Sequence, residues 1–216
     1  MKRFWLRYGP PLSIFILVVL YGVGIGGILS DHRAWFLSLT PLTLLISCTL
    51  MLLNHWHWSV LFALVLLVTW SVGYGIEVAG VHTGMIFGEY AYGATLGWKW
   101  LDVPLMIGVN WLLLVYSTGV VVGRLRMPRL VRAGIAAALM TLLDLLIEPV
   151  AIAYDFWHWK DGVPPLQNYI AWLVVAFSLA ALFQYIHFFK RNRVAVVLLV
   201  LQFVFFGILN LLISWE

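Results

Sequence analysis

Seven apolar stretches, roughly 11–29, 37–53, 59–76, 103–122, 131–153, 168–189 and 195–213, dominate the chain. Each approaches the ~20 residues that a helix needs to cross ~30 Å of hydrocarbon. An open backbone finds no water there, so helices that close their own hydrogen bonds are the default; a barrel would show weaker, alternating segments. Of 216 residues 63% are hydrophobic and only 10% charged, with a mean hydropathy of +0.99, whereas a soluble domain carries about 25% charged residues. The pattern predicts an all-α polytopic membrane bundle of about seven transmembrane helices, multi-pass in the cell membrane. The length allows one domain over 1–216 and not several.

Charge orients the bundle. With the N terminus inside, the inner segments hold Lys2, Arg3, Arg7, Arg124, Arg126, Arg129, Arg132, Lys190, Arg191 and Arg193, ten of the 13 basic residues. Only Arg33, Lys99 and Lys160 fall outside, so the bias predicts N inside and C outside. Orientation also explains the net charge of +4 better than nucleic-acid binding does, because the cations lie in short clusters between apolar runs. Asp31, Glu77, Glu89, Asp102, Asp155, Asp161 and Glu216 fall outside or at outer helix ends. The start, MKRFWLRYGPPL and an apolar run, resembles a signal peptide. That run continues to about Leu29 with no persuasive cleavage site, so it reads as a first spanning helix. A single cysteine, Cys48, sits in an apolar run and reads as a packing residue.

The connection 77–102 is the longest on the outer side, rich in Gly and aromatics rather than in solvating residues. It is expected to be an ordered outer loop packed on the bundle, with glycines permitting tight turns. The competing reading is an aromatic belt at headgroup depth.

The fifth stretch carries the sharpest polar signal, Asp144-Leu-Leu-Ile-Glu148-Pro149. Four-residue spacing puts both carboxyls on one face. From Arg132, Asp144 lies roughly 18 Å and Glu148 roughly 24 Å along the helix. A carboxylate at such depth is costly unless it faces the protein interior, is paired or is protonated, and a protonated acid there is a proton donor. The plainer alternative is an acid that only hydrogen-bonds neighbouring helices. Pro149 is expected to release the carbonyl of Leu145 and to shape the helix. Glu77 sits about 27 Å from Ser59, at the outer end of the third stretch, and Asn110 roughly 10 Å below the outer start of the fourth. Asn168 begins the sixth, with Trp172 one turn later. Polar groups from four segments therefore converge on the outer half of the membrane. Gln184, His187 and Gln202 do not join them and read as packing or interface residues. His55 and His57, beside Trp56 and Trp58, read as an interfacial loop, and no combination has a metal-ligand spacing. No phosphate loop, Cys pair, Gly-x-Ser-x-Gly or His-Glu-x-x-His occurs, so no cofactor is indicated and proton transfer on a lipid-borne substrate is the remaining chemistry.

These residues resemble the membrane carotenoid biosynthesis proteins that include carotenoid 1,2-hydratases and bisanhydrobacterioruberin hydratases. The resemblance rests on Glu77-Val-Ala-Gly80-Val-His-Thr-Gly84, Phe87-Gly88-Glu-Tyr90-Ala-Tyr92 and Leu96-Gly97. It continues through Pro104, Asn110-Trp111, Asp144, Glu148-Pro149, Trp157-His-Trp159, Gly162-Val-Pro164 and Asn168-Tyr169-Ile-Ala-Trp172. One departure is Glu148-Pro149, where many relatives have Asp before Pro; the acid is retained and its reach changes by about one methylene. The resemblance implies cofactor-independent hydration of the terminal isopropylidene double bond of a linear carotenoid end to a tertiary alcohol, a hydro-lyase activity. It implies Glu148 as proton donor and Asp144 or Glu77 as the base that positions water, with Asn110 and Asn168 orienting them. Donor and base are exchangeable at this stage. Phe87, Tyr90, Tyr92, Trp111, Trp157, Trp159, Tyr169 and Trp172 would face the polyene and stabilise the cation. Partners would be the carotenoid, arriving from the lipid phase, and membrane lipids, with no nucleic acid and no metal. A proton-coupled transporter, or a carotenoid-binding subunit without catalysis, are the alternative readings.

Overall fold

A computed structural model describes residues 2–213, with side chains from Tyr8 onward. The side chains of Lys2, Arg3 and Arg7, and the whole of Glu216, lie outside the described residues. Eight helices and four short strands follow in the order α1 (Lys2–Ile28), α2 (Arg33–Ser38), α3 (Thr40–Leu53), α4 (Val60–Thr83), β1 (Tyr90–Tyr92), β2 (Lys99–Trp100), β3 (Val103–Pro104), α5 (Leu105–Val122), α6 (Arg129–Ala153), β4 (Trp157–Trp159), α7 (Leu166–Tyr185) and α8 (Arg193–Ile213). Six of the helices, counting α1 from Tyr8, are long and apolar enough to span a bilayer. The chain is an all-α polytopic membrane bundle.

The stretch expected over 37–53 divides into α2 and α3 at Leu39, because Pro41 in the first turn of α3 has no N–H to continue a helix from before it. At 14 residues, α3 reaches only about 21 Å, and it is the short member among the seven apolar stretches. The helix expected to stop at 76 continues instead through Thr83. Ser59 caps its start by accepting from the Phe62 N–H at 3.1 Å. Gly84 closes its end with a left-handed φ of 64°, a conformation glycine adopts without strain. Glu77 therefore lies inside α4, nearly two turns before its end.

Helices α4 and α5 meet closely because Gly73 has no side chain: a Cβ there would stand 2.5 Å from that of Trp111. The α6 helix packs most extensively on α7. It passes through Pro149 without ending, and Asn210 of α8 donates to the Leu146 carbonyl in the preceding turn. Tight loops at 123–128 and 186–192 gather Arg124, Arg129, Arg132, Lys190 and Arg193 at one end of the bundle. His55 belongs there too. It is buried rather than interfacial, stacked on Phe62 at 3.7 Å and bonded through Nδ1 to the Tyr116 hydroxyl at 2.7 Å.

The opposite end carries the strands. The pair β1–β4 is antiparallel with register Tyr90↔Trp159, Ala91↔His158 and Tyr92↔Trp157. The hairpin β2–β3 turns through Leu101 and Asp102, both at positive φ (49° and 62°), the geometry of a two-residue hairpin turn.

Candidate active site

Asp144 and Glu148 lie one turn apart on the face of α6 that meets α7, and are only 1% and 3% exposed. Asn168, in the first turn of α7, places its Nδ2 between them. It donates to Asp144 Oδ2 at 3.1 Å and to Glu148 Oε1 at 3.2 Å. The other Glu148 oxygen, Oε2, accepts the indole N–H of Trp157 at 3.0 Å and of Trp159 at 2.9 Å. Glu148 thus holds three N–H donors. Asp144 holds one, and its Oδ1 has no hydrogen-bond partner among the described residues.

Glu77 faces them from α4, 4% exposed. Its Oε2 accepts from Tyr90 at 2.6 Å and Tyr92 at 2.8 Å, and its Oε1 from the Trp111 indole at 3.1 Å. Strand geometry explains the convergence. Residues two apart share a face, so β1 and β4 turn Tyr90, Tyr92, Trp157 and Trp159 toward the bundle and leave Ala91 and His158 exposed. Burial first, and the neighbouring Glu77 charge second, push both phenols up, so they remain protonated donors. Outside this lid, Asp155 ties the two loops by accepting from the Ala94 N–H at 2.9 Å. That bond first, then His158, holds its carboxyl below the usual range.

Glu77, Glu148, Asn110, Asn168, Phe87, Tyr90, Tyr92, Trp111, Trp157, Trp159 and Trp172 all line one cavity of about 30 Å³, room for one or two waters. Trp111 and Trp172 stack along its wall at 4.2 Å. Two of the residues singled out in the sequence stand apart. Asp144 sits behind Asn168 rather than on the wall, and Tyr169 is half-buried on α7 without lining the cavity. Ile107 lines it without having been singled out; an isoleucine in an apolar helix carries no signal of such a place. A second, apolar cavity of about 100 Å³ lies between α1, α3, α6 and α8 and shares Ile107, Asn110 and Trp157 with the first. Gln202, read from the sequence as a packing or interface residue, lines it.

The family model of carotenoid biosynthesis proteins matches residues 34–215. The chain belongs to this family. The carotenoid biosynthesis match contains every residue of the acid cluster and both strand pairs. Among members with a characterised name, the chain is similar to the bisanhydrobacterioruberin hydratase of Haloarcula japonica, 37% identical over 132 residues. That alignment covers 57% of this chain and 44% of the relative, so the chain matches a little under half of the relative's length. No solved structure matches the chain. Like the sequence pattern, the family match points to a membrane protein of carotenoid biosynthesis.

Proposed function

We propose that the chain hydrates the terminal isopropylidene double bond of a linear carotenoid end, giving a tertiary alcohol by carboxylic acid–base catalysis without a redox cofactor. The observation that carries this reading is the pairing of two carboxyls, Glu77 and Glu148, across one small aromatic-walled cavity that adjoins an apolar one. The name of the haloarchaeal relative supports the same reaction class. Charge bias supports an arrangement with the strand end outside and the basic end inside.

In this mechanism Glu148, protonated, delivers its proton to the less substituted alkene carbon. The π pair forms the new C–H bond and leaves a tertiary cation on the neighbouring carbon. Three N–H donors already surround the Glu148 carboxylate that results, so its charge is stabilised in place without bulk water. The indole faces of the stacked Trp111 and Trp172 stabilise the cation. A water in the 30 Å³ cavity adds to it, and Glu77 takes the proton that water releases. Transfer from Glu77 back to Glu148 through the next water returns Glu77 to the carboxylate and Glu148 to the acid, and one water has been added across the double bond. Glu77 suits the base role better than Asp144, because only Glu77 reaches the cavity wall. Asn168, on the cavity wall, positions Glu148 through its amide, and Asp144 behind it holds that amide in place.

Expression of the Glu148→Gln variant in a cell that makes lycopene tests the assignment. Pigment carrying one added water should fall by at least about 100-fold while the amount of folded protein in the membrane stays level. Undiminished conversion would remove Glu148 from the chemistry.

A further inference from the structure

A cleft of about 640 Å³ opens at the end of the bundle remote from the acid cluster, within the ~300–1,000 Å³ of ordinary small-ligand sites. The ends of α1, α3 and α5 wall it, together with the run 190–193 that leads into α8. Four cations line it: Arg124, Lys190, Arg191 and Arg193. The three arginines have no side-chain hydrogen bond or ion pair among the described residues. The described carboxyls lie elsewhere, in the acid cluster or at the strand end, where Glu89 pairs with Lys160 at 2.7 Å. Arg132 adds a further charge behind the wall, donating to the Gly123 carbonyl at 3.3 Å. Burial first, then the Arg132 and Arg129 charges, pushes the Lys190 amine down to about 8. Like charges gathered this way repel one another, and an anion among them relieves that cost.

The cleft is also held in shape. Asn192, 4% exposed, donates to the Met51 carbonyl at 2.8 Å and to the Tyr116 hydroxyl at 3.2 Å. Those bonds tie the run 190–193 to α3 and α5. Its Oδ1 accepts from the Val194 and Ala195 N–H groups at 3.0 and 3.3 Å. Arg191 and Arg193 are therefore presented from a fixed turn at the positive end of α8. We propose that this cleft binds a phosphate anion, held by Arg124, Arg191 and Arg193 with Lys190 beside them, either as part of a lipid headgroup or as free phosphate. The planar guanidinium fork matches phosphate oxygens two at a time. Its surroundings favour the lipid source. Trp56, on the cleft wall, is 52% exposed, and tryptophan collects at headgroup depth. Leu12 and Phe15, 50% and 65% exposed, follow Pro10 along α1 and offer apolar surface to acyl chains. A headgroup that carries its own ammonium brings one more cation into the cluster and fits less well. The proposal is independent of the hydratase reading, which uses the opposite end of the bundle.

Native mass spectrometry of the full-length protein in detergent tests it, with phosphatidylglycerol and phosphatidylcholine of the same acyl chains added together. Phosphatidylglycerol should be retained preferentially, and Arg191→Gln and Arg193→Gln should each cut that preference about tenfold. Arg126→Gln is the control. It removes an equal charge from an exposed position at the same end but outside the cleft, and should leave the preference unchanged. Inorganic phosphate separates the two sources. A melting temperature raised by phosphate alone, and no longer raised in the two cleft variants, makes free phosphate the occupant. Preference for phosphatidylglycerol without any response to phosphate makes it the headgroup. Neither preference nor response, or an equal loss in Arg126→Gln, overturns the site.

Discussion

Replacing Asn168 with alanine removes a single amide that serves two carboxyls at 3.1 and 3.2 Å. Hydrogen bonds to charged partners contribute about 1.5–3 kcal/mol each. If the bond to Glu148 is held through proton transfer, its loss slows conversion between about tenfold and 100-fold. The bond to Asp144 acts on stability instead, because without it both Asp144 oxygens lack a partner among the described residues. The assay is the rate at which a linear carotenoid gains one water, normalised to folded protein in the membrane. Gln184→Ala provides the control. It also removes a buried amide from α7, one that donates to the Gly119 carbonyl at 2.9 Å toward the basic end. Both variants should lose folded protein by comparable amounts, but only Asn168→Ala should lose rate per folded molecule. Equal loss of both quantities in the two variants would refute the positioning role and leave Asn168 as a strut.

Trp159→Phe keeps an aromatic ring but deletes one of three donors to Glu148; conversion should drop about tenfold or more, and an unchanged rate would show that the indole N–H is idle. Gly73→Ala should lower both melting temperature and conversion, because the new methyl meets Trp111, the donor to Glu77; a variant as stable as wild type would disprove the tight α4–α5 contact. Burial pushes the His55 imidazole down to about 4, against about 6.5 unfolded. Between those values the unfolded chain binds the extra proton, so stability should fall as pH drops from 6.5 toward 4 and level off below. His55→Leu should flatten that slope in melting curves taken across the same range; a slope that survives would place its origin elsewhere.

The bundle and the acid cluster were largely readable from residues alone, since long apolar runs have few folds open to them and carboxyls at depth must gather. The place of Glu77 within its helix is misread from the sequence because an apolar window ends the helix at 76, whereas Gly84 is the residue that stops it. The donor roles of Trp157 and Trp159 were not legible. Aromatic side chains in a membrane protein look alike whether they face lipid, substrate or a carboxylate. The one available signal was alternation: Tyr-Ala-Tyr and Trp-His-Trp both read as aromatic, other, aromatic, matching a period of two. Three residues are too few to assert a strand unless the partner is known. The apolar cavity is invisible in the sequence for a related reason, since Leu20, Leu44 and Ile147, which line it, are indistinguishable there from lipid-facing neighbours.

The Glu148 shell is assembled from parts made late. Its two indoles and its amide all lie downstream of it in the chain, so the acid is synthesised before any of its donors. A chain truncated between Pro149 and Phe156 would carry an unsheltered carboxyl in α6, with none of its three donors to offset the cost of burying it. Completion of β4 and α7 is then the step that supplies all three of its donors.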